Sequence, residues 1–153
     1  MKKILLLATA FMFSLAVMAQ PKAEDVAKFN TEKYDFGKIV AGTPVTYSFE
    51  IKNISDKPIV VENSWASCGC TTPEKIVDPI MPGATALLKV QYNAAAQSVF
   101  TKDVFVQFTG IAQPKTLVIT GEVLSPEAFE LWVKEKDKEK KDKAGKTKEK
   151  PNN

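Results

Sequence analysis

From Val45 to Lys52 the chain reads Val-Thr-Tyr-Ser-Phe-Glu-Ile-Lys, apolar at every odd position and polar at every even one. Successive side chains of a strand point to opposite faces, so this period sends one face into a core and the other into water. A helix cannot use it. The pattern returns at Ala84, Ala86, Leu88, Val90 and Tyr92, at Val104, Val106 and Phe108, and at Leu117, Ile119 and Val123. Between these runs lie Ala41-Gly42-Thr43-Pro44, Asn53-Ile54-Ser55-Asp56-Lys57-Pro58, Met81-Pro82-Gly83 and Thr109-Gly110-Ile111-Ala112-Gln113-Pro114, all rich in turn formers. Short alternating strands punctuated this way predict an all-β sandwich.

The spacing predicts strands at Ala27–Thr31, Tyr34–Ile39, Val45–Asn53, Ile59–Trp65, Thr85–Tyr92, Val99–Phe108 and Thr116–Val123. About seven strands in roughly a hundred residues is the immunoglobulin-like count. An antibody-type domain bridges its sheets with two cysteines far apart in sequence, whereas here both cysteines fall in one loop, so the core must hold by packing. Trp65, Phe36, Tyr47, Phe49, Phe100 and Phe108 are its expected large members. Phe105 breaks the alternation and reads as a surface contact or a bulge.

The flanks are not part of this sandwich. Lys2 and Lys3, the apolar run Ile4 to Val17 and the small residues at Val17-Met18-Ala19 have the form of a signal peptide over residues 1–19, with cleavage before Gln20. The run is shorter than the roughly 20 residues a stable membrane span needs. A soluble periplasmic or secreted product, with no transmembrane span, is therefore expected. The reading continues with an N-terminal linker at 20–26, the immunoglobulin-like domain at 27–124 and a short element at 125–133. That element is either a helix capped by Ser125 with Pro126 in its first turn, or a strand alternating Phe129, Leu131 and Val133. Residues 134–153 hold nine lysines, five acids and Ala144 as the single apolar residue, and read as a disordered lysine-rich tail. This tail is a candidate contact for anionic envelope surfaces, against the simpler role of a solubilising segment.

Subtracting Lys2 and Lys3 from the net charge of +3 leaves +1, and subtracting the tail's +4 leaves −3 on residues 20–133. A mildly acidic folded part without arginine lacks the basic, aromatic-interleaved surface of a nucleic-acid binder. There is no histidine either, which removes a Ser-His-Asp arrangement, and no Ser-x-x-Lys or glycine-rich phosphate loop is present. Glu24-Asp25, or Asp35 with Glu50, read as solvated carboxylates rather than as an acid and base pair. Asn53-Ile54-Ser55 has the form of a glycosylation acceptor but reads better as turn chemistry.

Tyr34-Asp35-Phe36-Gly37-Lys38-Ile39, Gly42, Tyr47 to Asn53, Cys68-Gly69-Cys70-Thr71, Pro82-Gly83 and Leu117-Val118-Ile119-Thr120-Gly121-Glu122-Val123 together resemble a bacterial exported family, domain of unknown function fifteen-seventy-three. It is common in Bacteroidetes and planctomycetes and is similar to the Hydin-type and major-sperm-protein-type immunoglobulin-like domains. The resemblance covers about Phe29 to Val123, and Cys-Gly-Cys-Thr is its most specific element. Ser98 stands where the family often has glycine, and Thr109-Gly110 where a Ser-Asn turn is common. The resemblance implies a fold and an exported location, and no reaction.

Cys68 and Cys70 are the only cysteines, and three readings of them are open. They are small packing residues or an inert bridge shaping the loop, a redox pair, or a thiolate pair for Cu(I), with Met81 as the nearest soft helper in sequence. Zinc would want four nitrogen or sulfur ligands. A bridge between residues two apart needs close Cα atoms, which would call on Gly69 to fold the chain into a tight, strained and reducible turn. No neighbouring lysine or helix start depresses a thiol pKa.

The expected function is a non-enzymatic interaction module of the cell envelope, or of the secreted fraction, that binds a protein or peptide partner and needs no cofactor. Its candidate interaction edge is the strand containing Tyr34, Phe36 and Ile39. The alternative is a thiol redox or Cu(I)-handling protein that uses the Cys68-Gly69-Cys70 loop.

Overall fold

The computed structural model describes residues 20–146; the expected signal peptide at 1–19 and the last part of the tail, 147–153, lie outside the described residues. After a single helical turn, α1 (Ala23–Val26), come eight strands: β1 (Ala27–Phe29), β2 (Lys33–Val40), β3 (Val45–Asn53), β4 (Val61–Ala66), β5 (Thr71–Pro73), β6 (Thr85–Tyr92), β7 (Val99–Phe108) and β8 (Lys115–Leu124). A helix, α2 (Pro126–Lys146), follows them. The strands form two four-stranded sheets, β1-β3-β6-β5 and β2-β8-β7-β4, the sandwich the alternation predicts. No helix among the described residues is long and apolar enough to cross a membrane.

The pairing is antiparallel except between β2 and β8, which run parallel with Lys33 opposite Val118 and Val40 opposite Leu124. The inward faces supply Phe49, Ile51, Leu88 and Val90 from one sheet and Val104, Val106, Phe108, Leu117 and Ile119 from the other, all essentially inaccessible. Each such side chain contributes about 1.5–3 kcal/mol relative to exposure. Tyr34 stacks on Tyr47 with ring centroids 3.6 Å apart, and Tyr92 on Phe100 at 4.0 Å, joining the sheets across the core. Gly121 is the cross-strand partner of Phe100. A Cβ there would come within 2.8 Å of the Phe100 ring and 2.9 Å of the Gly37 carbonyl oxygen, so only glycine leaves room for the ring.

Several expectations are corrected. Trp65 is not in the core: it is 37% exposed on the outer face of its sheet and stacks on Phe105 at 5.4 Å. The pair explains why Phe105 breaks the alternation. β4 begins at Val61 rather than Ile59, since Ile59 makes an isolated bridge to Ile80. The eighth strand, β5, is three residues long and includes a proline, too short to show any period. Residues 20–26 are more than a linker, because α1 buries Ala23.

The undecided C-terminal element is a helix. The Ser125 hydroxyl accepts the Ala128 N–H and the Ser125 carbonyl accepts the Phe129 N–H, a capped start with proline in the first turn. Phe129 and Trp132, 5.5 Å apart, lie on its docking side, with the Lys38 ammonium 5.8 Å from the Trp132 ring. The helix then continues through the lysine-rich segment to Lys146, well past the expected boundary at Val133. Good helix formers and the pairs Glu130–Lys134 and Lys136–Glu139 support it. The described side chains from Lys134 to Lys140 are all exposed, so this stretch is solvated although helical.

Candidate functional site

The sandwich has two ends of different construction. One gathers α1, the turn after β3, the start of β6 and the loop from β7 to β8. Asn53 is wholly buried here. Its amide nitrogen donates to the carbonyls of Lys57 and Ile80, both at 2.7 Å, and its amide oxygen accepts the Ser55 N–H and hydroxyl, both at 2.8 Å. This is the turn chemistry expected of Asn53-Ile54-Ser55, and it leaves no amide free to carry a glycan. Nearby, Lys115 is 8% exposed, and its ammonium reaches Glu24 at 2.5 Å and Glu32 at 2.6 Å. Burial alone would lower the Lys115 pKa, but its hydrogen bonds to the two carboxylates outweigh it and hold the ammonium above its ordinary value. The hydrogen bond from Lys115 in turn holds Glu24 below the usual carboxylate range. Of the other acids considered, Asp25 accepts the Lys22 N–H and Asp35 the Gly37 N–H, while Glu50 is solvent-exposed. Their hydrogen bonds shape turns, and they do not converge on one point.

At the opposite end β4 leaves its sheet and β5 enters the other through Ser67-Cys68-Gly69-Cys70. Cys68 and Cys70 form a disulfide with Cα atoms 5.4 Å apart. Both residues are half-buried, Ser67 and Gly69 are exposed and Thr71 is buried. Gly69 does not take a positive φ, and a Cβ on it would meet open space, so the turn closes without the conformational freedom of glycine expected of it. The backbone is held by N–H groups of Ser67 to Asp103 O, of Thr71 to Cys68 O and of Asn93 to Cys70 O. The Thr71 hydroxyl lies 3.8 Å from Cys68 Sγ and 4.0 Å from Cys70 Sγ. Met81, the soft helper suggested by sequence, sits beside the start of β6 at the other end of the sandwich. Bridged to each other, the sulfurs offer no thiolate pair to a metal.

The sheet edges differ as well. β2 is an edge strand, but Tyr34 and Phe36 are half-buried and Ile39 is buried, all turned toward the core. Its free side offers backbone interrupted by an irregularity between Asp35 and Lys38, where Gly37 takes φ +66° and its N–H is occupied by Asp35. Bulges and charges of this kind blunt an edge.

The second open stretch is on β6. β5 covers only Val90 to Tyr92, with Glu74 N–H adding a bond to Lys89 O. Lys89 therefore points its backbone groups away from β3, and by strand alternation so do Leu87 and Thr85. The Glu50 carbonyl opposite Leu87 accordingly turns the other way, to the Asn30 N–H. No strand among the described residues pairs with this side of Thr85–Leu87. The segment from Lys75 to Met81 stands off from it, leaving a groove of about 450 Å³ with Val77, Met81 and Leu87 exposed along it. The sequence held one signal of this feature: Leu87 is an apolar residue on the outward, polar face of an alternating strand.

Residues 27–123 match the family model described as protein of unknown function (DUF1573), and the chain belongs to that family. Among solved structures it is similar to a protein of unknown function from Porphyromonas gingivalis W83, at 14% identity and TM-score 0.54, covering 71% of this chain and 51% of that one. It is also similar to the seventh PapD-like (ASH) domain of human CEP192, at 8% identity and TM-score 0.54, covering 72% and 93%. A third likeness is to the secreted serine protease VesC of Vibrio cholerae, at 12% identity and TM-score 0.52, covering 65% and 23%. The chain thus spans about half of the Porphyromonas protein and about a quarter of VesC. At these identities the likeness is one of fold, a PapD-like and immunoglobulin-like sandwich. No curated protein matches the chain.

Proposed function

We propose that this member of the DUF1573 family is a non-enzymatic interaction module, exported to the periplasm or beyond, that holds an extended segment of a partner protein along a sheet edge. The observation that carries the reading is the unpaired side of β6 at Thr85–Leu87, with its backbone groups aimed into a groove lined by Val77, Met81 and Leu87. An added strand satisfies such groups, and alternate side chains of the incoming segment fill the apolar positions. The β2 edge with Tyr34, Phe36 and Ile39 is the second candidate, and its bulge makes it the less receptive of the two. Export is supported by the form of residues 1–19 and by the disulfide, since such bonds persist in oxidising compartments.

Proline separates the two edges. At Leu87 it removes a donor only from the open side, because that N–H is not part of the ladder to β3. By the same alternation the backbone groups of Ala41 and Ile39 face β8 and those of Val40 face the open side of β2. A pull-down of envelope proteins with wild type, Leu87→Pro and Val40→Pro, each confirmed folded by circular dichroism, should lose its specific partners with Leu87→Pro alone. Loss with Val40→Pro alone moves the site to β2, and retention by both variants sinks edge recognition. N-terminal sequencing should find the mature chain beginning at Gln20.

A further inference from the structure

The Cys68–Cys70 disulfide has chemistry that edge recognition does not use. It closes a ring of three residues, which removes little freedom from the unfolded chain, so stapling the fold is a minor part of what it can do. It closes a turn at the end of the sandwich around an exposed Gly69 and just after an exposed Ser67, with both cysteines half-buried. The bond thus lies in a surface turn rather than in the core, and access is one of the factors that set the rate of thiolate attack.

Thr71 supplies the second observation. The residue is 4% exposed, yet the hydrogen-bonding neighbours of its hydroxyl among the described residues are the two sulfurs, at 3.8 Å and 4.0 Å. Its hydrogen can turn to either. Sulfur in a disulfide is a weak acceptor, whereas a departing thiolate is a charged one, and a hydroxyl donor beside it stabilises the charge and eases departure. The third observation is the backbone. Its N–H bonds from Ser67, Thr71 and Asn93 do not depend on the sulfur bond, so after reduction the two thiols remain neighbours and can close again.

We propose that Cys68–Cys70 is a thiol–disulfide exchange site that accepts electrons from a dithiol, with Thr71 as the positioning residue for the leaving thiolate. A thiolate of the donor attacks one sulfur, forming a mixed disulfide and expelling the other sulfur as a thiolate beside the Thr71 hydroxyl. The donor's second thiolate then attacks its own sulfur in the mixed disulfide and releases the protein's second sulfur. Two electrons and two protons pass from donor to pair: the donor leaves as a disulfide, and Cys68 and Cys70 as thiols. The protein acts stoichiometrically and regains its bridge from an oxidant of the disulfide class.

The test uses the full mature chain with dithiothreitol as donor in the absence of denaturant, followed by alkylation and intact mass. Both cysteines should become labelled together on folded protein, with an unchanged circular dichroism spectrum, and dilution into oxidised glutathione should restore the bridge. Thr71→Val, which keeps shape and removes the hydroxyl, should slow reduction about tenfold, the kinetic weight of one lost hydrogen bond to a charged group. Thr71→Ser should recover most of the rate. Labelling only under unfolding conditions would overturn the exchange site, and equal rates for wild type and Thr71→Val would overturn the role of Thr71.

Discussion

The two ends of the sandwich are secured by opposite means. The Asn53 end relies on buried polar groups whose hydrogen-bonding capacity is filled by the adjoining turn and by segments distant in sequence. The Cys68 end relies on a covalent bond between near neighbours, half open to solvent. A fully satisfied buried amide is costly to disturb, because its removal takes several hydrogen bonds out of the interior at once, while a bridge over three residues constrains almost nothing that the backbone does not already fix. Covalent strength and structural importance are therefore inversely arranged in this molecule.

Asn53→Ala is the severest way to break the first end. It removes four hydrogen bonds from this end, leaving the Ile80 carbonyl with the Ile59 N–H and the Lys57 carbonyl with the Ser55 hydroxyl, and should cost about 3 kcal/mol, a fall of roughly 10–20 °C in Tm. Thermal melts followed by circular dichroism check this.

Lys115→Met should cost less, about 1–2 kcal/mol, because the freed carboxylates of Glu24 and Glu32 can hydrate. Its pH dependence has a definite sign. Glu24 is held below its ordinary 4.5 in the fold, so its contribution is complete above that value and is lost as pH falls through the lower folded pKa. Lys115 is held above its ordinary 10.5, so its contribution is present below that value and is lost as pH rises through the higher folded pKa. Urea titrations of wild type and variant should differ by a constant amount between about pH 5 and 10 and converge outside it.

The double variant Cys68→Ser/Cys70→Ser should cost at most about 1.6 kcal/mol by the chain-entropy estimate for a three-residue ring. If it proves more damaging than Asn53→Ala in the same melts, the contrast between the ends is reversed. Smallest of all, ending the chain after Val133 should change stability by less than about 0.5 kcal/mol, since the described side chains beyond it touch water rather than the sandwich. Its readout is the urea midpoint, and a shift of many degrees in a parallel melt would show that the distal helix packs.

What could be read from the sequence follows from the range of the forces involved. β3, β6 and β7 fall on the residues where alternation places them, since period is a property of adjacent residues. β5 was invisible because three residues hold no period, and its pairing depends on β6, which lies further along the chain. Trp65 was misplaced because size suggests burial, whereas its face is set by register with β7, opposite Phe105. The helix beyond Val133 was missed because a stretch without an apolar face can still satisfy its own backbone. At the cysteine turn the motif was plain, but its state was not. Thr71 stood in the motif from the start, and only the turn's geometry brings its hydroxyl against both sulfurs. The open side of β6 depends on where a neighbouring strand stops, which local sequence does not encode.

The parallel pairing of β2 with β8 also sets the order in which the molecule can be assembled. Lys33 meets Val118 and Glu24 meets Lys115, across 91 residues in the second case. A chain delivered N-terminus first, from a ribosome or through a translocation pore, presents β2 long before β8, the strand it pairs with, has emerged. The sheet cannot close until nearly the whole domain is out, so completion is a single late event of high contact order. Until then the chain can still be threaded, and the same interval leaves β2 exposed to wrong pairings.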